Sequence, residues 1–347
     1  MASVEQEATD LAKSSRVDWD CFVNSTVLIT GVTGLIGSCC VRALLERNKI
    51  GNSNIKVYGL ARSIEKAKKL LGTYASNSNL VLISGDIATV SFEDEAKIDY
   101  IIHAACPTAS NFFVNNPVET IDTIVCGTKN MLEIAKKHKA SLVYVSSMEV
   151  YGQGNSEQSS DFLLDESSVG YVDPLLVRNC YPEGKRLAEN YCVAYASEFN
   201  LNTYIVRLAQ TFGSGITKSD KRIFASFARA AQNEENIILK TTGQSTRMYV
   251  HTFDAVAAIF TVLVQGKPGC AYNVANKETY CSIADMAEMV VKEFSRGDME
   301  IIIDVDPDAP YPPEHHLPLD TSSLLSLGWS PKYNLKDMYS DLIECLA

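Results

Sequence analysis

Glycines recur at every third position in Gly31-Val-Thr-Gly34-Leu-Ile-Gly37, between two apolar segments of different period. Residues 25–30 (STVLIT) have the β-branched, apolar character of a buried strand, and residues 37–48 place apolar side chains at helical spacing. A chain that passes from strand to helix through three glycines turns sharply. Its backbone can also approach a neighbouring group with no Cβ in the way. The helix start adds unpaired N–H groups and a partial positive charge, which suit a pyrophosphate. The motif therefore predicts a dinucleotide-binding turn contacted by Gly31, Thr33, Gly34, Leu35, Ile36 and Gly37.

Strand and helix character then alternate. Strands are expected at residues 55–60, 80–84, 100–103, 141–145 and 203–207, and helices at 64–71, 128–138 and 182–198. This alternation predicts an α/β Rossmann fold with a doubly wound parallel sheet. After Arg207 the pattern loosens. Polar residues and glycine gather at 211–220, a helix is expected near 224–232, a strand near 237–240 and a Pro-rich loop at 306–318. A chain of 347 residues exceeds what one core usually supports. The expected organisation is an N-terminal extension (1–24), a dinucleotide-binding domain (25–207) and a smaller C-terminal substrate lobe (208–347), interleaved with the first.

The formal net charge of -11 disfavours a nucleic-acid partner. The ten cysteines are scattered, with Cys39 and Cys40 adjacent and no C-x-x-C pair, and only His315 and His316 are close among the histidines. No metal site is expected, and the thiols read as reduced. The first 24 residues lack a signal-peptide core, and no apolar run approaches the ~20 residues of a membrane span. A cytoplasmic protein with no membrane partner is expected.

Strand ends supply the remaining candidates. Gly59-Leu60-Ala61-Arg62-Ser63 ends the second strand without the acidic residue that binds a ribose 2′-hydroxyl, so Arg62 is free to meet a 2′-phosphate and NADP is favoured over NAD. Gly85-Asp86-Ile87 ends the third strand, where a carboxylate suits the adenine amino group. His103-Ala104-Ala105 ends the fourth, where small residues let the backbone pass the cofactor. The fifth ends Val145-Ser146-Ser147-Met148-Glu149, and Tyr181-Pro182-Glu183-Gly184-Lys185 begins a long helix. Tyr181 and Lys185 share one helical face. A nearby ammonium favours phenolate, so Lys185 is expected to lower the Tyr181 pKa toward neutrality. Tyr181 can then take a proton from a hydroxyl that Ser147 orients, while hydride leaves the same carbon. Lys185 can also hold the nicotinamide ribose.

These motifs, in this order, resemble the extended short-chain dehydrogenase/reductases, the NAD-dependent epimerase/dehydratase family of nucleotide-sugar enzymes. The similarity runs from about Thr26 to Leu327-Gly328-Trp329-Ser330-Pro331. Among branches the chain most resembles the UDP-glucuronate decarboxylases, through Cys180-Tyr181-Pro182-Glu183-Gly184-Lys185-Arg186, Ala105-Cys106-Pro107-Thr108-Ala109-Ser110 and Glu149. The resemblance implies that Ser147, Tyr181 and Lys185 form the catalytic triad and that Glu149 is a second acid/base. It also implies that Pro107, Ser147, Gln210 and Arg247 meet the substrate, Arg247 gripping the nucleotide diphosphate. A homodimer built on the helices at 128–138 and 182–198 is likewise implied. The chain departs from the pattern at four places. Met148 replaces the acid of 4,6-dehydratases, Ile124 and Gln210 each replace an Asn, and Ala61-Arg62 replaces Asp-Asn.

The leading reading is oxidation of a nucleotide-linked sugar at C4, followed by return of the hydride, as in an epimerase. UDP-glucuronate decarboxylation is one alternative, since a C4 ketone lets the C5 carboxylate leave as carbon dioxide. An NADPH-dependent carbonyl reductase is another, suggested by Arg62 and the Lys-rich helix after it. A non-catalytic dinucleotide sensor fits poorly with Ser147, Tyr181 and Lys185 all present.

Overall fold

Buried apolar runs from both halves of the chain pair into one parallel sheet. The computed structural model describes residues 4–92, 97–108, 110–153, 163–305 and 314–346. In chain order the first half comprises α1 (Val4–Lys13), β1 (Thr26–Thr30), α2 (Leu35–Gly51), β2 (Lys56–Ala61), α3 (Ile64–Leu71) and β3 (Leu80–Ser84). It continues through β4 (Tyr100–His103), α4 (Ser110–Asn115), α5 (Pro117–His138), β5 (Ser141–Ser147), α6 (Cys180–Phe199) and β6 (Thr203–Leu208). Next come β7 (Gln210–Phe212), α7 (Ile223–Asn233), β8 (Ile237–Leu239), β9 (Thr246–His251), α8 (Thr252–Gln265) and β10 (Ala271–Val274). The chain ends with β11 (Asn276–Ser282), α9 (Ile283–Phe294), β12 (Ile301–Ile303), β13 (His316–Leu317), α10 (Ser322–Leu325) and α11 (Leu335–Leu346).

The main sheet has the order β3-β2-β1-β4-β5-β6-β10, with every pair parallel. Strand order reverses at β1, where Thr30 is level with both Leu60 of β2 and His103 of β4. Such a reversal opens a crevice at the carboxyl ends of the strands, the usual ligand position in a doubly wound sheet. The smaller sheet is built on β9, which pairs with β7, β11 and β13, while β8 and β12 pair separately. A third core of Phe212, Phe224, Tyr249 and Tyr339 lies beneath it.

Several elements differ from expectation. Helix α5 starts at Pro117, with the proline in its first turn, rather than near Thr128. Proline is pre-organised for that position. Gly127, which weakens the helical pattern, is needed because a Cβ there would come within 2.8 Å of Ile87. Helix α8 was not expected. Its side chains at 252–263 are all buried, so no amphipathic period marks it. The N-terminal stretch is not a loose extension. In α1, Ala8, Leu11 and Ala12 are buried, Trp19 and Phe22 pack on Phe260, and Arg16 pairs with Asp254 at 2.5 Å. Of the expected Pro-rich loop, residues 306–313 lie outside the described residues, and His316–Leu317 pair with β9 as β13. The cysteines are all unpaired thiols, with Cys21 and Cys126 exposed. Among the described residues no helix is long and apolar enough to cross a membrane.

Candidate functional site

The glycine turn forms a tight cradle at the end of β1. Gly31 has φ +72°, and a Cβ on it would sit 2.8 Å from the Ala105 Cα. A Cβ on Gly37 would meet the Gly31 carbonyl carbon at 2.7 Å. Both positions exclude any larger residue. Gly34 caps α2, whose first N–H groups, around Leu35 and Ile36, open beside Thr33. A groove that bare backbone lines at a helix start fits a dinucleotide pyrophosphate.

Beside it, buried hydrogen bonds fix the end of β4. The Thr30 Oγ1 meets His103 Nδ1 at 2.9 Å and accepts the N–H groups of Ala104 and Ala105 at 3.1 and 3.0 Å. His103 Nε2 meets Thr128 Oγ1 of α5 at 3.0 Å. Burial, with a smaller contribution from Lys185, depresses the His103 pKa to about 3, so the ring is neutral.

Ser147 ends β5 and caps the short 3-10 turn Met148–Tyr151, its Oγ accepting the Glu149 N–H at 3.2 Å. The serine proton is therefore left to point elsewhere. Tyr181, in the first turn of α6, is buried, neighbours the Ser147 hydroxyl and stacks on Phe113 with centroids 5.0 Å apart. Lys185 is buried one turn on. Its Nζ donates to the Val145 carbonyl at 2.7 Å, 4.6 Å from the Tyr144 ring and 5.8 Å from the Tyr181 ring. The expected lowering of the Tyr181 pKa is not found. Burial is the largest effect and pushes the phenol well above its ordinary value, with Cys106 and Glu149 adding to it. Spacing on a helix reveals which charge is near but not how much water has been removed.

Beneath these groups a buried network ties the strand that carries Ser147 to the helix that carries Tyr181. Ser146 donates to Glu189 at 2.5 Å, and Arg207 of β6 holds Glu189 through Nε and Nη2, the shortest contact being 2.7 Å.

Glu149 lies in the 3-10 turn rather than on the strand end, and its side chain is about a third exposed. It faces Arg178, Nη2 to Oε2 at 3.5 Å. Arg178 and Phe113 were not singled out from the sequence. Ile124 of α5 packs against Gly184, between the positions of Tyr181 and Lys185. An apolar side chain therefore occupies this place below the site.

The other candidates surround this centre. Arg62 is exposed and pairs with Glu119 of α5 at 3.1 Å, so it is not unopposed by a carboxylate. Asp86 is exposed and caps its own turn through the Ala88 N–H at 2.8 Å, while Ile87 is buried against Gly127. Pro107 is half-buried and accepts from the Cys106 thiol, and Ala109 of the same motif lies outside the described residues. Gln210 begins β7, and its buried Oε1 has no partner among the described residues. Arg247 of β9 meets His315 through Nη2 at 2.8 Å, and its buried Nε has no partner among the described residues.

Glu7, His251 and Asp341 form a separate cluster of ligand-type side chains, with His251 Nε2 3.4 Å from Glu7 and 3.3 Å from Asp341. The His251 Nδ1 accepts the Phe253 N–H at 3.2 Å, so the ring proton is on Nε2. A metal-bound imidazole instead donates from its other nitrogen. Through this cluster His251 stands between Glu7 of α1 and Asp341 of α11.

Comparison with known proteins shows the family and the fold. The model of the NAD dependent epimerase/dehydratase family matches residues 27–275. UDP-glucuronic acid decarboxylase 6 of Arabidopsis thaliana is 32% identical over 317 residues, covering 90% of this chain and 86% of the relative. The fold is shared with a dTDP-glucose 4,6-dehydratase from Streptomyces venezuelae solved with NAD bound (TM-score 0.75, 21% identity, 92% of this chain and 96% of that one). It is also shared with a UDP-glucuronic acid 4-epimerase from Bacillus cereus in complex with UDP-glucuronic acid and NAD (TM-score 0.73, 22% identity, 92% and 98%).

Proposed function

We propose that this chain, which belongs to the NAD dependent epimerase/dehydratase family, acts on a nucleotide-linked uronic acid: it oxidises the C4 hydroxyl, releases the C5 carboxylate as carbon dioxide and reduces the resulting ketone. The observation that carries this reading is the convergence of Ser147, Tyr181 and Glu149 beside the glycine cradle. The similarity to UDP-glucuronic acid decarboxylases over 90% of the chain favours loss of carbon dioxide over the simple epimerisation first expected.

The cradle residues Gly31, Thr33, Gly34, Leu35, Ile36 and Gly37, with Ala104, Ala105, Asp86 and Ile87, would hold the dinucleotide. When bound, its nicotinamide supplies the acceptor and later the donor of hydride, so the cycle has no net redox change. Ser147, with its Oγ already accepting one bond, donates to the sugar oxygen and orients it. Tyr181 takes the hydroxyl proton in the first half of the cycle and returns it to the ketone oxygen in the second. Its resting neutral form is the one ready for return. Lys185, held on the Val145 carbonyl, sets its Nζ 5.8 Å from the Tyr181 ring.

Once C4 is a ketone, the C5 carboxylate is β to it. The C5–carboxylate bond breaks, carbon dioxide leaves, and the electron pair passes into an enolate on the C4 oxygen. A proton then returns to C5, and Glu149 is the acid we assign to it. Arg247, joined to His315 through Nη2, offers to the diphosphate the Nε that has no partner among the described residues. Pro107 and Gln210 flank the sugar.

The expectation of NADP rested on an unopposed Arg62. Its pairing with Glu119 removes that basis, and NAD is the dinucleotide we propose. We also propose a homodimer through α5 and α6, whose outer faces leave Val118, Ile121, Leu187 and Val193 exposed.

The test is a panel of UDP-, GDP-, CDP- and dTDP-sugars. Conversion of a uronate to a pentose, with no steady change in reduced nicotinamide, supports the reading. Steady consumption of reduced dinucleotide with a simple carbonyl compound would replace it with a reductase.

A further inference from the structure

Lys185 is almost wholly buried, with 3% of its surface exposed. Among the described residues no carboxylate forms an ion pair with it: Glu189 is held by Arg207 at 2.7 Å, and Glu149 faces Arg178 at 3.5 Å. A buried ammonium is costly unless something compensates for the lost water. The Val145 carbonyl accepts one N–H at 2.7 Å, and the Cys106 thiol is a further partner. The other close neighbour is the face of the Tyr144 ring, whose centroid lies 4.6 Å from Nζ, nearer than the Tyr181 centroid at 5.8 Å.

Strand β5 puts Tyr144 at this place. It is level with His103 of β4 and Ile205 of β6, and its side chain enters the core shared by Ile124, Tyr181 and Ile205. The His103 ring, fixed by Thr30 and Thr128, packs against it with centroids 5.4 Å apart. Tyr144 is 1% exposed, and its hydroxyl has no partner among the described residues. It therefore presents a ring, and not a hydrogen bond, to its surroundings. The negative face of an aromatic ring attracts a cation within about 6 Å of its centroid, most strongly where water is excluded.

We propose that Tyr144 is a positioning residue whose ring face seats the Lys185 ammonium for the nicotinamide ribose. The proposal rests on the reading above, in which the glycine cradle takes the dinucleotide, and on Lys185 meeting its ribose as the helix motif implies. A lysine side chain is a point charge on a flexible four-carbon stem, so one bond to Val145 leaves it free to swing. The ring restrains it from a second side. A carboxylate in that position would cancel the charge and draw the N–H groups to itself. A ring carries no net charge, so the donors that Val145 and Cys106 leave unused stay available to a ligand. Tyr144 thus acts through Lys185.

The experiment measures equilibrium binding of NAD to the full chain freed of dinucleotide, in wild-type and K185M backgrounds. In each, position 144 carries Tyr, Phe, Leu or phenylalanines of increasing fluorination, which drain the ring face of negative charge while keeping its shape. K185M alone should weaken NAD. With Lys185 present, Y144F should bind as wild type, because the hydroxyl has no part. Y144L and the fluorinated rings should weaken NAD progressively, up to about three- to thirtyfold, the strength of a desolvated cation–π contact. In K185M the same changes should have no effect, so the two positions are coupled. Should Y144L not fold, the fluorinated series carries the test. Fluorination that leaves affinity unchanged, or weakens it equally in K185M, overturns the role of Tyr144 while the dinucleotide site stands. Wild type that binds no dinucleotide, or K185M that binds it as wild type does, overturns the reading beneath it, and this proposal with it.

Discussion

The Arg62 guanidinium at the end of β2 is paired with the Glu119 carboxylate in the first turn of α5, at 3.1 Å. A cation that would attract a 2′-phosphate is thereby joined to an anion that would repel it. Glu119→Gln should raise affinity for NADP relative to NAD, and Arg62→Ala should lower it. Both side chains are exposed, so each change is expected to be modest, about two- to fivefold. Titration of both dinucleotides against the three proteins checks this. A Glu119→Gln variant with unchanged NADP affinity would show that the carboxylate does not influence the choice.

Tyr181 and Glu149 should fail at different stages. Tyr181→Phe removes the proton relay and is expected to cost ~10²–10⁴-fold in turnover with dinucleotide binding intact. Glu149→Gln should still permit oxidation, so reduced nicotinamide should build up on the enzyme while product does not. Stopped-flow absorbance of both variants separates the two. Wild-type turnover by Glu149→Gln would remove that residue from the chemistry.

Because burial holds Tyr181 as a neutral phenol, the oxidative half of the cycle requires deprotonation and should accelerate as pH rises. The reductive half uses the proton and should slow. Single-turnover rates for each half, followed against pH, should have opposite slopes. Parallel slopes would mean that Tyr181 is not the group that exchanges the proton.

Glu7 introduces a second pH dependence, in stability. Burial first, then the neighbouring Asp341, raises its pKa from 4.5 to about 9, against a lowering hydrogen bond from Ser214 and the charge of Lys332. The folded protein keeps a proton there that the unfolded chain loses, so stability contributed by Glu7 is complete below pH 4.5 and is lost as pH rises toward 9. Thermal unfolding across that window should show Tm falling with pH more steeply in wild type than in Glu7→Gln, by on the order of several degrees. Identical profiles would show that Glu7 is not buried against His251 and Asp341.

What was readable in the sequence is local in the chain. Gly31, Gly34 and Gly37 announce a turn by themselves. Ser147 ends a strand, and Tyr181 and Lys185 share a helix face. What escaped depends on partners far apart in sequence. Glu119 meets Arg62 across 57 residues, and Arg178 meets Glu149 across 29. The docking of the N-terminal stretch depends on His251, Asp254 and Asp341, all in the C-terminal half. Helix α8 was hidden for another reason: a helix buried on all sides has no polar face to reveal its period. The phenol of Tyr181 escaped because desolvation belongs to the folded core around it.

The outer faces of α5 and α6 carry Val118, Ile121, Leu187 and Val193 into solvent. Burying them against a second copy is the expected remedy, since closed two-fold dimers are the commonest assembly. Light scattering at micromolar protein should show a dimer, and Leu187→Glu should shift it to monomer. A wild-type monomer would refute the interface.

The central claim is a sugar oxidised, decarboxylated and reduced in one site. Incubation of the wild-type protein with UDP-glucuronic acid in deuterated water, with product mass and proton NMR followed over time, tests it directly. The expected product is a UDP-pentose that has lost carbon dioxide and carries one deuteron at C5, formed with no net change in reduced nicotinamide. Recovery of the uronate unchanged, or of its C4 epimer with the carboxylate retained, would contradict the account.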